Sequence, residues 1–416
     1  MADFKLTKVI AVNAIGQLGP IGKQYSPAGN ILIIADDRTY RVAGESVRRV
    51  LKEHGHPTVE CVLNRSEALI PDERALGEIL VHMNDGITLL VSVGSGSITD
   101  LTRYISHKFK KPFIAVPTAP SMDGYASSVA PLTIRGFKQT FAAVTPAAIV
   151  ADTTVLAGAP RDMILAGLGD LLGKYTSLAD WKLSSFVNEE RYTEDIAAMV
   201  REALANTVRN FNSPPSDEVR IGHLTDALIV SGEAMQLWGD SRPASGAEHH
   251  LAHFWEMQAA LHGHSSYFHG TKVGVAVILV AQLYHRIFAL DAATVEQRIA
   301  RFRPESQTEY TERIHRVYGP LAGDVLHDLQ AYYLDAAQRT VRQGRIIANW
   351  EAMRAWVLAH VPTPEWLQDF MLRAGAPVLP AQIEVDAELL QISLENAKEV
   401  RKRYTVFRLA EDIGFI

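Results

Sequence analysis

Short apolar runs alternate with helical patterns through the first third of the chain. The run ILIIA (31–35) is typical of a strand buried on both faces, while Val47, Val50 and Leu51 recur at the spacing of one helix face. The same patterns predict strands at 31–35, 58–63, 88–93 and 112–117, and helices at 44–53, 67–83 and 98–109. Strands that alternate with helices in this way indicate a parallel, doubly wound sheet.

The pattern changes after about residue 155. Strand-like runs become rare, and long helical patterns continue to about residue 410. They predict helices at 169–183, 192–211, 220–237, 246–261 and 270–288. A break at Gly158, Ala159 and Pro160 divides the chain into domains at 1–157 and 158–416. We therefore expect an α/β N-terminal domain with a parallel Rossmann-like sheet and an all-α C-terminal domain.

The composition is that of a globular chain rather than a disordered one. Of 416 residues, 47% are hydrophobic and 21% are charged. The net charge of −6 excludes a protein built around polyanion binding, so we expect no nucleic-acid partner. The single cysteine, Cys61, excludes an intrachain disulfide and a thiolate metal site.

Two further observations bear on location. The first residues lack the apolar core of a signal peptide. The apolar run at 273–280 is too short to span a bilayer. We therefore expect a cytoplasmic protein without membrane insertion.

A glycine-rich loop joins the third predicted strand to the helix that follows. Gly94 and Gly96 allow a close approach of the backbone to a phosphate, and the helix N-terminus adds N–H donors. Position 99 is Thr, so the loop departs from the GxGxxG fingerprint. The loop predicts a pyrophosphate site, with an ordinary tight turn as an alternative of equal weight.

Two other polar segments follow strands of the same sheet, at the edge where ligands bind in this architecture. Asp36 and Asp37 follow the first predicted strand, where a carboxylate can accept a hydrogen bond from a nucleotide ribose. This acid usually comes after the glycine loop rather than before it, and the alternative is a solvated turn. The segment TAPSMDG (118–124) follows the fourth predicted strand and forms a further exit loop at that edge.

Histidines are concentrated in one short segment. Six of the 15 histidines lie within 21 residues: His249, His250, His253, His262, His264 and His269. The first and third of these are four residues apart, so their imidazoles project from one helical face and can face a metal ion or its substrate. Glu248 precedes the first histidine, so this is not the HExxH sequence of zincin peptidases. A single histidine is more often structural, whereas this concentration favours a site.

A divalent cation would also accept a carboxylate, and Asp170 in GLGD (167–170) is the candidate. We place Asp170 at the start of a helix, where the helix dipole stabilises a negative charge. The alternative is an N-cap role, which is the favoured one for an isolated aspartate.

Together these motifs resemble the sn-glycerol-1-phosphate dehydrogenase family, in the superfamily of glycerol dehydrogenase, iron-containing alcohol dehydrogenases and dehydroquinate synthase. The resemblance rests on VGSGSITD (93–100), PTAPSMDGYASS (117–128), GLGDLLGKYTSLADW (167–181), SRPASGAEHHLAH (241–253) and HGTKVGV (269–275). GLGD and HGxK resemble patterns of the whole superfamily, while SMDG and SRPASGAEH resemble the glycerol-1-phosphate branch, its bacterial members most of all. The resemblance implies a dehydroquinate synthase-like fold, with a dinucleotide-binding domain at 1–157 and a metal- and substrate-binding domain at 158–416.

The resemblance also implies roles for individual residues. Asp170, His249 and His269 would bind one divalent metal ion, zinc or nickel. Asp123, Asp170 and His253 would contact the substrate and take part in catalysis. The nicotinamide cofactor would be lined by Asp36, Gly94, Ser95, Gly96, Ser97, Ile98, Thr118, Ala119, Pro120, Ser121 and Ser127. The superfamily often has glycine where Ser95 stands, and because serine is small we expect pyrophosphate binding to persist. No family role extends to His250, His262 or His264, which we expect to be surface or supporting residues.

The implied reaction is the reduction of dihydroxyacetone phosphate, a phosphorylated triose, to sn-glycerol 1-phosphate, and its reverse. The metal would polarise the ketone, the nicotinamide would supply the hydride, and water or His253 would relay the proton in a cleft between the domains. Arg242, Lys174 and Lys272 are candidates for binding the substrate phosphate.

The cofactor and assembly state follow from the same resemblance. Asp36 favours the free ribose hydroxyl of NAD over the phosphate of NADP. Arg38 and Arg41 lie close enough to offset this, so we expect NAD with NADP tolerated. Family members imply a homodimer or larger. Residues 301–416 show helical periodicity without a motif that we assign chemically.

Three other functions stay open at this point. A metal-dependent polyol or alcohol dehydrogenase would act on a non-phosphorylated substrate. A sugar-phosphate cyclase like dehydroquinate synthase would recycle its NAD, so it would consume no net NADH. A non-catalytic nucleotide-binding protein would have a degenerate site, against which Asp170, His249, His253 and His269 together argue.

Overall fold

The computed structural model describes residues 6–66, 69–135, 137–212, 214–262, 267–329 and 333–415. The chain forms two compact units. The first unit comprises Met1–Leu171 and Glu202–Gly239, and the second comprises Leu172–Arg201 and Asp240–Ile416. The predicted domain at 1–157 lies within the first unit, and the functional division at residue 158 stays a prediction.

The first unit is built on a six-stranded parallel sheet, as predicted. Its strands are β1 (Thr7–Ala11), β2 (Asn30–Asp36), β3 (Thr58–Leu63), β4 (Ile87–Gly94), β5 (Phe113–Pro117) and β8 (Ala148–Asp152), in the order β1-β8-β5-β4-β2-β3. Ala35 lies beside Val93, and Gly94 beside Pro117. This register brings the carboxyl ends of β2, β4 and β5 to one edge, where their exit loops are neighbours.

Both faces of this sheet are buried, which explains the continuous apolar runs. On β2, Leu32 and Ile34 belong to one hydrophobic cluster, while Ile31, Ile33 and Ala35 belong to another. Successive side chains of a strand point to opposite faces, so each face packs a separate core.

Helices of the first unit follow the strands. They are α1 (Leu18–Tyr25), α2 (Asp37–Thr39), α3 (Glu45–Glu53), α4 (Glu73–Leu80), α5 (Gly96–Phe109), α6 (Thr153–Ala157), α7 (Arg161–Leu172) and α10 (Asp217–Trp238). The helix predicted at 67–83 is shorter in the structure. Asp72 caps α4 through the backbone N–H of Ala75, and Pro71 before it is a poor helix residue.

Four strands of the structure were not predicted from the periodicity of the sequence. β1 and β8 pair with each other in the main sheet, and β6 (Val129–Ile134) and β7 (Phe137–Ala142) form a separate antiparallel pair. Strands β1, β6 and β7 are short and contain polar residues or proline, so their apolar signal is weak, and the apolar run of β8 is only four residues long.

The second unit is helical in its described part. Its helices are α8 (Lys174–Val187), α11 (Ala247–Leu261), α12 (His269–Phe288), α13 (Ala292–Arg301), α14 (Gln307–Tyr318), α15 (Ala322–Leu329), α16 (Ala336–His360), α17 (Pro364–Ala374), α18 (Ala387–Asn396) and α19 (Val406–Asp412). Helix α9 (Glu194–Phe211) carries the chain from the second unit back into the first. The single helix predicted at 169–183 is two helices, α7 and α8, which are separated at Gly173.

Helix α12 has the length and composition of a membrane span, but 78% of its most apolar window is buried within the structure. Valines, isoleucines and leucines lie on all of its sides. A helix that is apolar all round is typical of a protein core as well as of a membrane.

Candidate active site

The predicted glycine loop connects β4 to the N-terminus of α5. Gly94 is crowded, because an added Cβ would lie 2.6 Å from Cβ of Ile98. Ser95 is in the N-cap position of α5, and its side chain makes no capping hydrogen bond. The first turn of α5 begins at Gly96 and includes Ser97. The loop therefore has the geometry expected of an anion site, a bare helix N-terminus approached by small residues.

The neighbouring exit loops lie at the same edge of the sheet. Oδ1 of Asp36 accepts hydrogen bonds from the backbone N–H groups of Arg38, at 2.9 Å, and Thr39, at 2.7 Å. Asp36 thus caps the short helix α2, a role that the sequence analysis did not predict. A ribose contact of Asp36 stays a prediction.

The loop after β5 begins with buried residues. Thr118 and Ala119 are almost fully buried, and Pro120 and Ser121 follow them. The carbonyl of Ala119 accepts a hydrogen bond from the hydroxyl of Tyr125, at 2.5 Å. Ser127 further on accepts from the backbone N–H of Val129, at 3.2 Å. The predicted cofactor residues of this loop are therefore held in one defined conformation.

Within the first unit, the structure brings Asp123 and Asp170 together. The backbone N–H of Asp123 donates to Oδ2 of Asp170 at 3.1 Å, and Oδ2 of Asp123 accepts from the hydroxyl of Ser231 at 2.9 Å. Asp170 is 1% exposed. The helix predicted to begin near Asp170 in fact ends there, since α7 spans Arg161–Leu172. The placement at a helix start, and with it the N-cap alternative, is wrong. A carboxylate in the last helical turn opposes the helix dipole, so another interaction must stabilise its charge.

Arg103 is a site residue that sequence analysis missed. Its guanidinium is fully buried and donates to the carbonyls of Gly124, Tyr125 and Val129, at 2.5, 2.9 and 2.8 Å. It also pairs with Asp100 at 3.0 Å. Arg103 thereby fixes the loop that follows Asp123. No sequence signal shows this, because the acceptors are backbone groups.

In the second unit, α11 presents His249 and His253 on one face, as their spacing predicted. Nδ1 of His249 lies 2.7 Å from Oε1 of Glu248, which is fully buried. Glu248 also accepts from the hydroxyl of Thr176 and the backbone N–H of Gly246, both at 2.6 Å. Burial alone would raise the pKa of Glu248, but these hydrogen bonds and the imidazole lower it, so the carboxylate is charged. In a neutral His249 the proton therefore lies on Nδ1, and Nε2 carries the lone pair.

Glu256 orients the other two predicted histidines. Its carboxylate lies 3.1 Å from Nδ1 of His253, 2.9 Å from Nδ1 of His269 and 3.0 Å from Nζ of Lys272. The rings of His253 and His269 stack with centroids 4.9 Å apart, and the ring of His249 is 5.2 Å from that of His269. One carboxylate thus fixes both rings of the pair, an arrangement common around metal-binding histidines.

His253 is held from both sides. Nη2 of Arg401 donates to its Nε2 at 3.1 Å, so its ring proton is on Nδ1, towards Glu256. Burial, followed by the positive charge of Arg401, holds the pKa of His253 well below its ordinary value. His253 is therefore a neutral ring in this structure.

The N-terminus of α11 is anchored by Asp180. This fully buried carboxylate accepts from the backbone N–H of Ala247 at 2.6 Å, from the hydroxyl of Tyr284 at 2.6 Å and from the backbone N–H of Val406 at 2.7 Å. Gly246 leaves room for it, since an added Cβ would lie 2.5 Å from Oδ2 of Asp180. Asp180 lies in the segment that resembles the family, but nothing in its spacing predicted this role.

The three cations predicted for a substrate phosphate are all engaged inside the second unit. Arg242 pairs with Glu190 at 2.9 Å, and Lys174 donates to the carbonyl of Ala244 at 3.0 Å. Lys272 pairs with Glu256. Each of the three side chains therefore has a partner within the protein, and a phosphate contact of any of them stays a prediction.

The remaining histidines lie apart from this arrangement or are not described. His250 is fully buried, and both of its ring nitrogens lack a hydrogen-bond partner among the described residues. His262 is at the C-terminal end of α11. His264 lies outside the described residues.

Sequence comparisons place this chain among known dehydrogenases. The family model of iron-containing alcohol dehydrogenase matches residues 9–160. A glycerol-1-phosphate dehydrogenase (NAD(P)+) of Geobacillus thermodenitrificans is 34% identical over 402 residues, covering 96% of this chain and 90% of that protein. The protein of the same name from Halalkalibacterium halodurans is 44% identical over 258 residues, covering 61% of this chain and 65% of that protein.

Solved structures agree on the fold. Iron-containing alcohol dehydrogenase from Corynebacterium glutamicum superposes with a TM-score of 0.60 at 18% identity, covering 99% of this chain and 95% of that chain. Glycerol dehydrogenase from Schizosaccharomyces pombe gives a TM-score of 0.58 at 15% identity, covering 100% and 90%. The predicted dehydroquinate synthase-like fold is confirmed. By fold and by its full-length relatives, this chain belongs to the glycerol-1-phosphate dehydrogenase family.

Proposed function

We propose that this protein reduces dihydroxyacetone phosphate to sn-glycerol 1-phosphate with NADH or NADPH, and catalyses the reverse reaction. The observation that carries the proposal is the histidine arrangement of the second unit, in which each of three imidazoles has a carboxylate at Nδ1. Similarity to glycerol-1-phosphate dehydrogenases along nearly the whole chain supports this substrate over the non-phosphorylated and cyclase alternatives.

One divalent cation, zinc or nickel, is proposed to be bound by Asp170, His249 and His269. The described residues fit such an ion. Two imidazoles and a carboxylate suit a borderline metal, and thiolate ligands are not needed. Glu248 and Glu256 place the ring proton on Nδ1 of His249 and His269, so Nε2 is the nitrogen that would bind the metal. The buried carboxylate of Asp170 at the C-terminal end of α7 is also explained by a nearby cation.

The nicotinamide cofactor is proposed to bind the first unit at the carboxyl edge of its sheet. The N-terminus of α5 and the loop at 94–98 would hold the pyrophosphate, and the loop at 118–121 would lie along the rest of the cofactor. Asp36 would accept from the adenosine ribose, which favours NAD with NADP tolerated.

Substrate contacts are proposed for Asp123, Asp170 and His253. The bond between Asp123 and Ser231 holds the carboxylate of Asp123 in one orientation. The bond from Arg401 requires a lone pair at Nε2 of His253, so the only proton of this ring faces Glu256. With its only proton on Nδ1, His253 would position the substrate, and water would donate the proton to the reduced ketone oxygen.

When bound, the divalent cation supplies Lewis-acid polarisation of the ketone, and the reduced nicotinamide supplies the hydride. This chain contributes orientation and charge. Arg103 holds the loop that carries Asp123, and Asp180 fixes the start of the helix that carries His249.

The deciding experiment is an assay of NADH oxidation with dihydroxyacetone phosphate, with and without added zinc and nickel. We expect metal-dependent turnover, which His249→Ala and Asp170→Asn abolish together with metal content. Intact activity and metal content in either variant would refute the ligand assignment. Equal rates with dihydroxyacetone and its phosphate would favour a polyol dehydrogenase, and turnover without net NADH consumption would favour a cyclase.

Two finer properties complete the proposal. We propose a cytoplasmic homodimer, for which light scattering of the purified protein should give twice the mass of one chain. We also propose a higher kcat/KM for NADH than for NADPH. A strong preference for NADPH would refute the role of Asp36.

A further inference from the structure

A pair of arginines lies beside His253, in a segment without a recognisable motif. Residues 401–405 connect a short turn at Ala397–Glu399 to α19. Nη2 of Arg401 donates to Nε2 of His253 at 3.1 Å, and Nη1 of Arg401 donates to Oγ of Ser241 at 3.2 Å. The side chain of Arg401 therefore lies against the histidine arrangement.

Arg403 joins Arg401 at the same serine. Its Nη2 donates to Oγ of Ser241 at 2.8 Å, and its Nη1 donates to the carbonyl of Ser245 at 2.9 Å. Asp240 is 3.5 Å from Arg403, but its own side chain is 60% exposed to water. Two guanidinium groups thus share one hydroxyl oxygen.

The charge of this pair is poorly compensated among the described residues. Both hydrogen-bond partners of Arg401, a neutral imidazole and a hydroxyl, are uncharged, and no described carboxylate lies within 4.0 Å of it. Burial, then the nearby charges of Arg401 and Arg242, lowers the pKa of Arg403 to about 10. Asp240 and, for Arg401, the more distant charge of Glu256 compensate this charge only in part. Buried cations that are incompletely compensated are costly unless a ligand supplies more counter-charge.

His250 is a second sign of an incomplete environment. It is fully buried without a hydrogen-bond partner among the described residues. Neutral polar groups that are left without partners inside a protein are unusual.

We propose that Arg401 and Arg403 bind the phosphate of the substrate. This inference rests on the proposed function. A phosphate monoester is a dianion at neutral pH, which two guanidiniums match in charge and in planar donor geometry. Its phosphate lies only a few bonds from the ketone carbon, so a substrate whose ketone reaches the histidines brings its phosphate near Arg401. Arg401 and Arg403 thus select phosphorylated substrates.

The test compares Arg401→Met with Lys402→Met in the metal-loaded enzyme with NADH bound. Lys402 lies between the two arginines in sequence. Its side chain is exposed, and its replacement removes the same charge from the same segment. We expect Arg401→Met to lower kcat/KM for dihydroxyacetone phosphate by about 10- to 100-fold more than it lowers kcat/KM for dihydroxyacetone. Lys402→Met should leave both unchanged. An equal loss with the two substrates in Arg401→Met would show that Arg401 acts only through His253, and would overturn the proposal.

A binding measurement separates this proposal from the proposed reaction. Inorganic phosphate should raise the melting temperature of the wild-type holoenzyme and of Lys402→Met, but not of Arg401→Met, with Arg401→Lys in between. The bound NADH keeps phosphate from the loop at 94–98. Equal stabilisation of all four proteins would overturn the proposal. Phosphate stabilisation without any reduction of dihydroxyacetone phosphate would refute the proposed reaction and keep the anion site.

Discussion

At the scale of single residues, the histidines depend on carboxylates that are bonded to their Nδ1 atoms. Glu248 is bonded on one oxygen to His249 and the Gly246 N–H, and on the other to Thr176. A glutamine can keep these bonds, because its oxygen accepts the first two and its amide can donate to the threonine hydroxyl. Only the negative charge is lost.

Glu248→Gln should therefore fold and bind its metal less tightly. Loss of a carboxylate behind a ligating histidine typically costs about 10- to 100-fold in metal affinity. Titration of the metal-free protein with zinc or nickel measures this change. Glu296→Gln, which removes an exposed carboxylate of α13, is the matched control. Equal metal affinity in the two variants would contradict the role of Glu248.

Residue spacing predicted the histidine pair but not its supporting residues. The i,i+4 spacing of His249 and His253 is enough to place both rings on one helix face. Glu256 lies three residues after His253, a local spacing, but its contact with His269 joins two helices. Arg103 and Arg401 act on backbone carbonyls or on segments far apart in sequence. Such contacts leave no local pattern.

At the scale of elements, one carboxylate joins two helix starts. Asp180 accepts from the first residue of α11, Ala247, and from the first residue of α19, Val406. In Asp180→Asn only one oxygen remains, and the amide would face a backbone donor. We expect a loss of about 1–3 kcal/mol in the free energy of unfolding, with weaker metal binding because α11 carries His249. Urea unfolding and metal titration measure the two effects. An unchanged urea midpoint would contradict this account.

The carboxyl group of Asp180 also makes the free energy of unfolding depend on pH. Burial, then the negative charge of Glu248, raises the pKa of Asp180 to about 7 from 3.8. Between these values the folded protein keeps a proton that the unfolded chain has lost, so stability falls as pH rises through this window and levels off above it. The wild type should lose more stability than Asp180→Asn between about pH 5 and pH 8. If the asparagine variant does not fold, Tyr284→Phe, which removes a donor, should extend the decline to higher pH. Parallel pH profiles would contradict the assignment.

A glycine of α7 sets the distance between this helix and the proposed cofactor loop. At Gly167, an added Cβ would lie 1.8 Å from the carbonyl oxygen of Pro120. Gly167→Ala should therefore displace the loop at 118–121, weaken NADH binding and lower stability. Fluorescence titration with NADH measures the first effect. Gly77→Ala in α4 is the control, since nothing lies within 4 Å of its added Cβ, and alanine there should stabilise the helix by about 0.5–1 kcal/mol. Equal NADH affinities in the two variants would contradict this prediction.

At the scale of the whole molecule, the reactivity of the single cysteine indicates whether the first unit is folded. Cys61 is buried in β3, and burial, then the charge of Glu78, raises its pKa to about 11. At pH 8 the native thiol should react very slowly with Ellman's reagent, because the thiolate is the reactive form. Urea should restore the rate as the unit unfolds, and Cys61→Ser should give no signal. Reaction of the native protein at the rate of a small free thiol would contradict this prediction.

Most of the fold could be predicted because its sheet is buried on both faces. The bounds of β2, β3, β4 and β5 were predicted within a residue or two. Periodicity also predicted helices α8 to α12, apart from the break at Gly173. The edge strand β1 and the β6–β7 pair carry weaker patterns, and their pairing depends on distant segments. The return of residues 202–239 to the first unit had no signal in composition or charge.

This return has a consequence for synthesis on the ribosome. Ile221 and Ile229 of α10 belong to the same hydrophobic cluster as Leu32 and Ile34 of β2. The sheet is therefore translated well before the helix that completes its core, and part of one apolar face stays uncovered in the nascent chain. A fragment that stops at residue 157 lacks the same helix. In the full chain, α8 of the second unit is synthesised before α10, so the first unit completes its core only after part of the second unit has been made.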